Sequence, residues 1–408
     1  MRIFIAGLTS KKLLVSLFLL FLAGTVFAVD VKLTAPQFTS DNPEIEVWLD
    51  ALNQDLLNYF KEFETIESDI NNVLPDNFNK LAGGFANASV FSSDGASQRG
   101  YEGYKAFSLT FGPIIAVQLP QLTLFDKITD VINNGEEEIS PDFIKDLVNI
   151  PFGFNFQALN AQLGINTSFL LKGLYLGFNF SMFDTNWINA IAMNLPGFSF
   201  KTMSVGINAS YQLISQKRLL AGLLVWRGLN LGAGFIWHKT SLELKSDLGD
   251  IFGEDSKNIQ IPLPLPAELG GERTIDMPLV GSLQLGFDTN TYIIPVKAIT
   301  SIRLLGFLNV ALGAGIDIAL PFGGSSIEAK GSFTGDKDNV TGLPYGIIVD
   351  QAPSLTFSLG GKSAPSFFNP KVMGAVGFNF GPLIIDIPLT YYFKDNGYSL
   401  GFTLGLSL

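Results

Sequence analysis

Apolar and polar residues alternate one by one along much of this chain. The clearest run closes it: Tyr398, Leu400, Phe402, Leu404, Leu406 and Leu408 share one face, while Ser399, Gly401, Thr403, Gly405 and Ser407 share the other. Strand side chains point to opposite faces with period two, so this segment has one greasy face and one small, polar face. The scheme recurs upstream. Leu159, Ala161, Leu163, Ile165, Thr167 and Phe169 alternate with Asn160, Gln162, Gly164, Asn166 and Ser168. Leu174, Leu176, Phe178, Phe180 and Met182 alternate with Tyr175, Gly177, Asn179 and Ser181. Met203 to Leu213, Leu308 to Leu320 and Leu383 to Phe393 repeat it. The second face is nearly always Gly, Ser, Asn, Thr or Gln, the apolar-out, polar-in signature of a membrane-spanning barrel.

The pattern predicts strands near 104–118, 159–170, 174–182, 199–213, 219–240, 278–288, 292–303, 307–320, 325–334, 343–350, 354–361, 371–380, 383–393 and 398–408. Connections leaving odd-numbered strands include the long ones, at 119–158, 183–198, 241–277, 335–342 and 362–370. Those leaving even-numbered strands are short, such as Lys172-Gly173, Ser215-Gln216-Lys217 and Gly381-Pro382. Outer-membrane barrels have an even strand number, short turns at one end and longer loops at the other. The expectation is an all-β transmembrane fold, an antiparallel outer-membrane β-barrel of about 14 strands. The weak pattern at 343–361 leaves twelve or sixteen open.

The N-terminal part breaks the pattern. Residues 1–28 read as a signal peptide, with Arg2, Lys11 and Lys12 before an apolar run from Leu13 to Phe27 and a small-residue site at Ala28. Residues 29–103 hold a predicted helix with Asn42 as N-cap, Pro43 at its first position and Asn71, Asn72 and Pro75 at its end. Ile45, Trp48, Leu49, Leu52, Leu56, Tyr59, Phe60, Phe63, Ile66 and Ile70 form its apolar stripe. The following Gly/Ala/Ser/Asn-rich segment, Leu81 to Tyr104, has little periodicity and suits a place inside something. The domain division is therefore 1–28, 29–103 as a partly helical hatch or periplasmic segment, and 104–408 as the barrel.

Composition narrows the function. There is no cysteine and one histidine, which leaves no thiolate metal site and no spare parts for a histidine-based catalytic triad. Loss of the three cations in residues 1–28 leaves 23 basic against 37 acidic residues, a net charge near −14 that repels nucleic acid. Charged residues are 15% of the chain, with 36 Phe and 42 Gly, below the roughly 25% charged residues of soluble domains. No catalytic residue, metal or cofactor is expected. His238, beside Trp237 at an expected strand end, reads as structural, in an interfacial aromatic belt. Glu136, Glu137 and Glu138 read as a solvated acidic loop.

Two features point to transport. Residues 121–149 read as two short amphipathic helices, with Ile128, Val131 and Ile132 in one and Phe143, Ile144, Leu147 and Val148 in the other, a candidate substrate-capture loop. Asp317, Asp386, Asn309, Asn208 and Asn179 fall on the inward phase and are expected to face the lumen. A bulge or kink is expected at Pro388, which lacks a ladder donor.

A signal peptide, an N-terminal segment of about 75 residues and about fourteen amphipathic strands with helical outer loops together resemble the long-chain fatty acid transporter (FadL) family. The segment from Phe85 to Ala96 resembles that family's small-residue hatch, although its Asn-Pro-Ala motif is absent and Asn369-Pro370 lies far from the hatch. The resemblance implies a hatch plugging a barrel and passive uptake of hydrophobic or amphipathic small molecules such as fatty acids. It places the chain in the outer membrane of a diderm bacterium, with outer-membrane lipid, the assembly machinery and a hydrophobic substrate as partners. A general diffusion porin and a β-rich surface or adhesin protein are the alternatives.

Overall fold

The computed structural model describes residues 30–43, 45–54, 56–58, 75–93, 106–119, 152–185, 197–220, 223–247, 258–264, 272–343 and 346–408. Residues 1–28, read as a signal peptide, residues 121–149, read as two amphipathic helices, and the acidic run at 136–138 lie outside these residues.

Strands β1 (Asp30–Thr34) and β2 (Gln37–Ser40) precede helix α1 (Pro75–Phe91). There follow β3 (Phe107–Gln118), β4 (Gly153–Asn166), β5 (Leu174–Asp184), β6 (Phe198–Ile214), β7 (Lys217–Leu219), β8 (Leu224–Asp247), β9 (Asn258–Pro264) and β10 (Glu272–Leu304). The chain continues with β11 (Leu308–Ala319), β12 (Gly324–Gly335), β13 (Ile347–Gln351), β14 (Ser354–Ser363), β15 (Phe368–Phe380), β16 (Leu383–Tyr392), β17 (Gly397–Gly401) and β18 (Thr403–Ser407). All strand pairs are antiparallel. The main sheet closes on itself, because β17 and β18 together form one interrupted strand that pairs with β16 on one side and β3 on the other. The result is an outer-membrane-type barrel with no helix, among the described residues, long and apolar enough to cross a membrane.

The ring itself contains ten strands: β3, β4, β5, β6, β8, β10, β11, β15, β16 and the β17–β18 pair. Of the fourteen expected strands, two merge into one, two (β12 and β14) extend the wall beside β10, and one (β13) leaves the main sheet to pair with β2. The segments predicted separately at 278–288 and 292–303 are one strand, the 33-residue β10. Its Asp288-Thr-Asn-Thr291 stretch has turn-like composition but is continuous ladder. Thr289 and Thr291 face inward and bond there to Ser325 and Ser89. One edge of β10 pairs with β8 along most of its length. The other pairs first with β12 and then with β11. Strands β11 and β12 thus follow one another along β10, and β14 and β15 follow one another beside them. The expected loop at 362–370 is therefore a break between two collinear strands.

One side of the barrel is consequently a tall wall built on β6, β8, β10, β12 and β14, while β16 on the short side has ten residues. Ten tilted residues span roughly 25 Å, the height of a lipid-facing band. The outer face follows that division. Around the ring it carries Phe111, Phe178, Ile207, Phe235, Val296, Leu312, Val376, Ile387 and Leu400. On the tall wall it carries Lys239, Glu243, Lys245, Asp288, Asn290, Glu328 and Lys330 instead. Aromatics mark the boundary: Tyr292 against Phe322 at 4.9 Å, Tyr391 against Tyr398 at 5.1 Å, and Trp237, whose Nε1 donates to Asn290 at 2.7 Å. Aromatic girdles take this position at membrane–water interfaces. The long connections all leave at the tall-wall end, called the upper end below, and the short turns lie at the other.

The C-terminal alternation keeps its phase, with Leu400, Phe402 and Leu406 outward and Gly401, Thr403 and Gly405 buried, but the ladder breaks at Phe402. The expected irregularity at Pro388 is displaced onto this facing strand. A Cβ at Gly401 would meet the Pro388 ring at 3.0 Å, so glycine makes room where the ladder has no donor.

The N-terminal elements pack at the upper end. Residues 45–54 and 56–58 are helical, matching the first half of the predicted helix. The expected end of that helix at Asn71, Asn72 and Pro75 falls on residues that are mostly outside those described; Pro75 is the first residue of α1, and the segment from Leu81, read as having little periodicity, is helical as far as Phe91. Ile45 and Leu49 pack on Phe38, Ile275, Met277, Ile347 and Val349. Strand β1 joins β14 and β2 joins β13. The Asn53 amide bonds both backbone groups of Phe38, accepting from its N–H at 2.9 Å and donating to its carbonyl at 2.8 Å. It substitutes for a missing strand neighbour. Asn53→Ala strands both groups and is expected to weaken this corner by about 1–3 kcal/mol. Faster amide exchange at Phe38 checks this; an unchanged rate would show that the side chain does not hold the strand.

Candidate functional site

Helix α1 lies across the upper mouth of the ring, touching β3, β4 and β17 on the short side and β10, β12 and β14 of the tall wall. Its sequence explains the fit. Phe78 and Ala82 pack with Phe287, Ile327 and Ala329, and Phe85 sits 4.4 Å from the Phe287 ring. Farther along, Val90 and Phe91 enter the ring beside Ala116, Ile293, Ala319 and Tyr392, with the Phe91 and Tyr392 rings stacked at 4.1 Å. Between these anchors the helix presents small residues, and the barrel answers with glycines. A Cβ at Gly153 would fall 1.8 Å from the Gly84 carbonyl oxygen, and one at Gly361 would fall 2.4 Å from the Phe78 backbone. At Gly84 and Gly153 backbone meets backbone because neither residue has a side chain in the way, while at Phe78 the glycine on the wall alone makes the room.

Polar contacts fix the position of α1. Asn87 donates to Asp395 at 3.1 Å and accepts from the Ser366 amide at 2.6 Å, while Ser366 Oγ donates to the same Asp395 carboxylate at 2.6 Å. Asn79 accepts from the Lys362 amide at 2.8 Å, and Ser89 and Thr291 share a hydrogen bond of 2.9 Å. Gln157 donates from the ring wall to the Ser92 carbonyl at 3.0 Å.

Two buried polar groups lie in the ring against the inner end of α1. In the first, Lys371 Nζ lies 2.6 Å from Asp317 Oδ1, and the Tyr392 hydroxyl donates to Asp317 Oδ2 at 2.9 Å. Both side chains of the ion pair are fully buried. In the second, Asn155 Nδ2 lies 3.0 Å from His238 Nε2 and donates to Thr240 at 3.0 Å, while Gln157 Nε2 lies 3.2 Å from His238 Nδ1. His238 faces the interior, fully buried, and its neighbour Trp237 takes the boundary position. The reading that put both in the aromatic belt is corrected by the strand's own alternation, which sends adjacent residues to opposite faces.

Of the residues expected in the lumen, Asp317 belongs to the ion pair and Asp386 is wholly buried opposite Gly377 and Thr403. Asn208 donates to Asn179 at 3.0 Å, and Asn309 donates to the Phe307 carbonyl at 3.3 Å. Ile128, Val131, Ile132, Phe143, Ile144, Leu147 and Val148, expected to form a substrate-capture loop, are outside the described residues. Sequence reasoning missed Lys371, Tyr392, Gln157 and Phe91. For Lys371 a signal existed: it shares the inward phase of its strand with Asn369, so a cation was available to face Asp317.

A family model described as Lsa36-like matches residues 32–408, and the chain belongs to that family. No curated protein matches it. Among solved structures it is similar to the CymD monoaromatic hydrocarbon channel, at 12% identity over 74% of this chain and 89% of that one, TM-score 0.22. It is likewise similar to a Pseudomonas aeruginosa FadL homologue, at 12% identity over 80% and 97% of the two chains, TM-score 0.21. The translocator domain of the autotransporter NalP from Neisseria meningitidis matches at 8% identity over 76% and 91%, TM-score 0.27.

Proposed function

We propose that this Lsa36-like barrel is a gated outer-membrane channel, passing hydrophobic or amphipathic small molecules such as fatty acids down their gradient without a cofactor. One observation carries the reading: a closed ring whose upper mouth is filled by a helix held through small-residue contacts and hydrogen bonds rather than by a covalent link. Such a helix can leave the ring without unfolding it. In this reading residues 1–28 are removed on export, residues 29–103 form the hatch and residues 104–408 form the barrel. The apolar loop at 121–149 collects substrate, and the C-terminal strand engages the assembly machinery. A general diffusion porin is less well supported, because a permanently open mouth does not suit buried Val90 and Phe91 inside the ring.

The test is a removable lock. A Cβ at Gly83 would lie 3.5 Å from the Ser363 Cβ, inside the range of a disulfide. In a chain without native cysteine, G83C/S363C should form one bond between helix and wall. Cells carrying the oxidised protein are expected to take up labelled oleate at least about tenfold more slowly, a rise in barrier near 1.4 kcal/mol, with recovery on reduction. Uptake indifferent to the lock would sink the hatch mechanism, and no uptake through the unlocked protein would sink the channel.

A further inference from the structure

The tall wall is interrupted just above the aromatic boundary. Strands β12 and β14 pair down to Ser325 and Ser363, and β11 and β15 pair up to Ile318 and Phe368. Between them, residues 320–323 stand opposite only Thr291 and Tyr292 of β10, so the chain buckles outward. Phe322 is left 70% exposed beside Tyr292. Above it opens an outward cleft of about 610 Å³, lined by Lys239, Asp288, Asn290, Phe322, Ser326 and Lys362.

The register sets the charges. Lys239 is opposite Asn290 on one side of the cleft, while Asp288, Ser326 and Lys362 are successive neighbours across the other strands. A carboxylate therefore lies between two ammonium groups. The other wall lysines are neutralised close by: Lys245 pairs with Glu243 at 2.8 Å and Lys330 with Glu328 at 2.5 Å. Among the described residues Lys239 and Lys362 have no such ion pair. Directly below the cleft the outer surface turns apolar, through Phe235 and Val296.

We infer that this cleft seats the headgroup of a membrane glycerophospholipid, with its phosphate between Lys239 and Lys362 and its acyl chains along the apolar wall beneath Phe322. The height is that of the headgroup layer, where a lysine near a lipid phosphate gains most. Asp288 adds discrimination. It opposes a second negative charge and suits an ammonium, so a phosphoethanolamine head fits the cation–anion–cation order. The inference rests on the barrel standing in a membrane with its boundary at the aromatics, and it is independent of whether α1 gates transport.

Native mass spectrometry of the full chain in a phosphorus-free detergent tests it, with phosphatidylethanolamine as probe. Wild-type protein is expected to retain one lipid that K239Q/K362Q binds about tenfold more weakly or loses, while K245Q behaves as wild type. D288N should shift preference from phosphatidylethanolamine toward phosphatidylglycerol. Equal retention by wild type and K239Q/K362Q would overturn the site. So would equal retention of diacylglycerol, which has the chains without the phosphate, or capture of inorganic phosphate alone at the same strength. A normal oleate uptake in K239Q/K362Q would leave the channel reading standing, so the two proposals fail separately.

Discussion

Asp317→Leu is expected to yield a barrel that is folded in only a small fraction of molecules, whereas Asp317→Leu combined with Lys371→Met recovers most of the loss. The single change leaves the Lys371 ammonium fully buried with its 2.6 Å partner gone. Breaking a buried pair in this way costs about 3–5 kcal/mol, while replacing both charges with apolar groups of similar volume is often neutral. A stability of roughly 5–15 kcal/mol makes the first loss severe. The Tyr392 hydroxyl also loses the Asp317 oxygen it donates to at 2.9 Å, in both variants. The double variant therefore falls short of wild type by about one hydrogen bond, near 1 kcal/mol. Urea midpoints in detergent micelles, read by the heat-dependent gel shift of folded barrels, separate the cases. Equal loss in the single and double variants would mean that the hydroxyl contact, not the ion pair, dominates.

Gly153→Val acts on the helix rather than the ring. Its new Cβ would fall 1.8 Å from the Gly84 carbonyl oxygen, so one backbone must move. Strand β4 is bonded to β3 along most of its length, Gly153 included, and to β5 from Asn160 to Asn166, whereas α1 is held by side-chain contacts and scattered hydrogen bonds. The helix is the part expected to give. Ala86, fully buried in the wild type, provides the reporter once changed to cysteine in a chain that has none. A86C should react slowly with a water-soluble maleimide, and A86C/G153V at least about tenfold faster, which needs only about 1.4 kcal/mol of weaker docking. Labelling that stays slow while the folded gel shift persists would show that the strand end yields instead.

Much of the barrel was legible because lipid imposes a strict rule on it. Ile207, Leu312, Leu400 and their neighbours stand outward, where only apolar residues are favoured, so the alternation survives in the sequence. The number of strands in the ring was not legible for a related reason. Asp288-Thr-Asn-Thr291 has the residue types of a turn, yet the same types also suit a strand that is polar outside and hydrogen-bonded inside. Helix α1 was missed because its working surface is Gly83, Gly84, Ala82 and Ala86, which carry no apolar stripe for a periodicity test to find. Its fit depends on Gly153 and Gly361, far away in the sequence. Of the buried charges, Asp317 stood out as an acid on an inward phase. Its partner sits 54 residues away on another strand, a distance that pattern reading does not bridge.

The contacts of helix α1 also dictate an order of events. Asn79 bonds Lys362, Phe91 bonds Tyr392 and Asn87 bonds Asp395, partners separated by 283, 301 and 308 residues. Each of these contacts closes a loop that contains most of the ring, and such closures are slow because their entropy is lost before any contact is made. The first residues of the described chain therefore find their places among the last. The ring is therefore expected to close before the 17-residue helix settles onto its glycines.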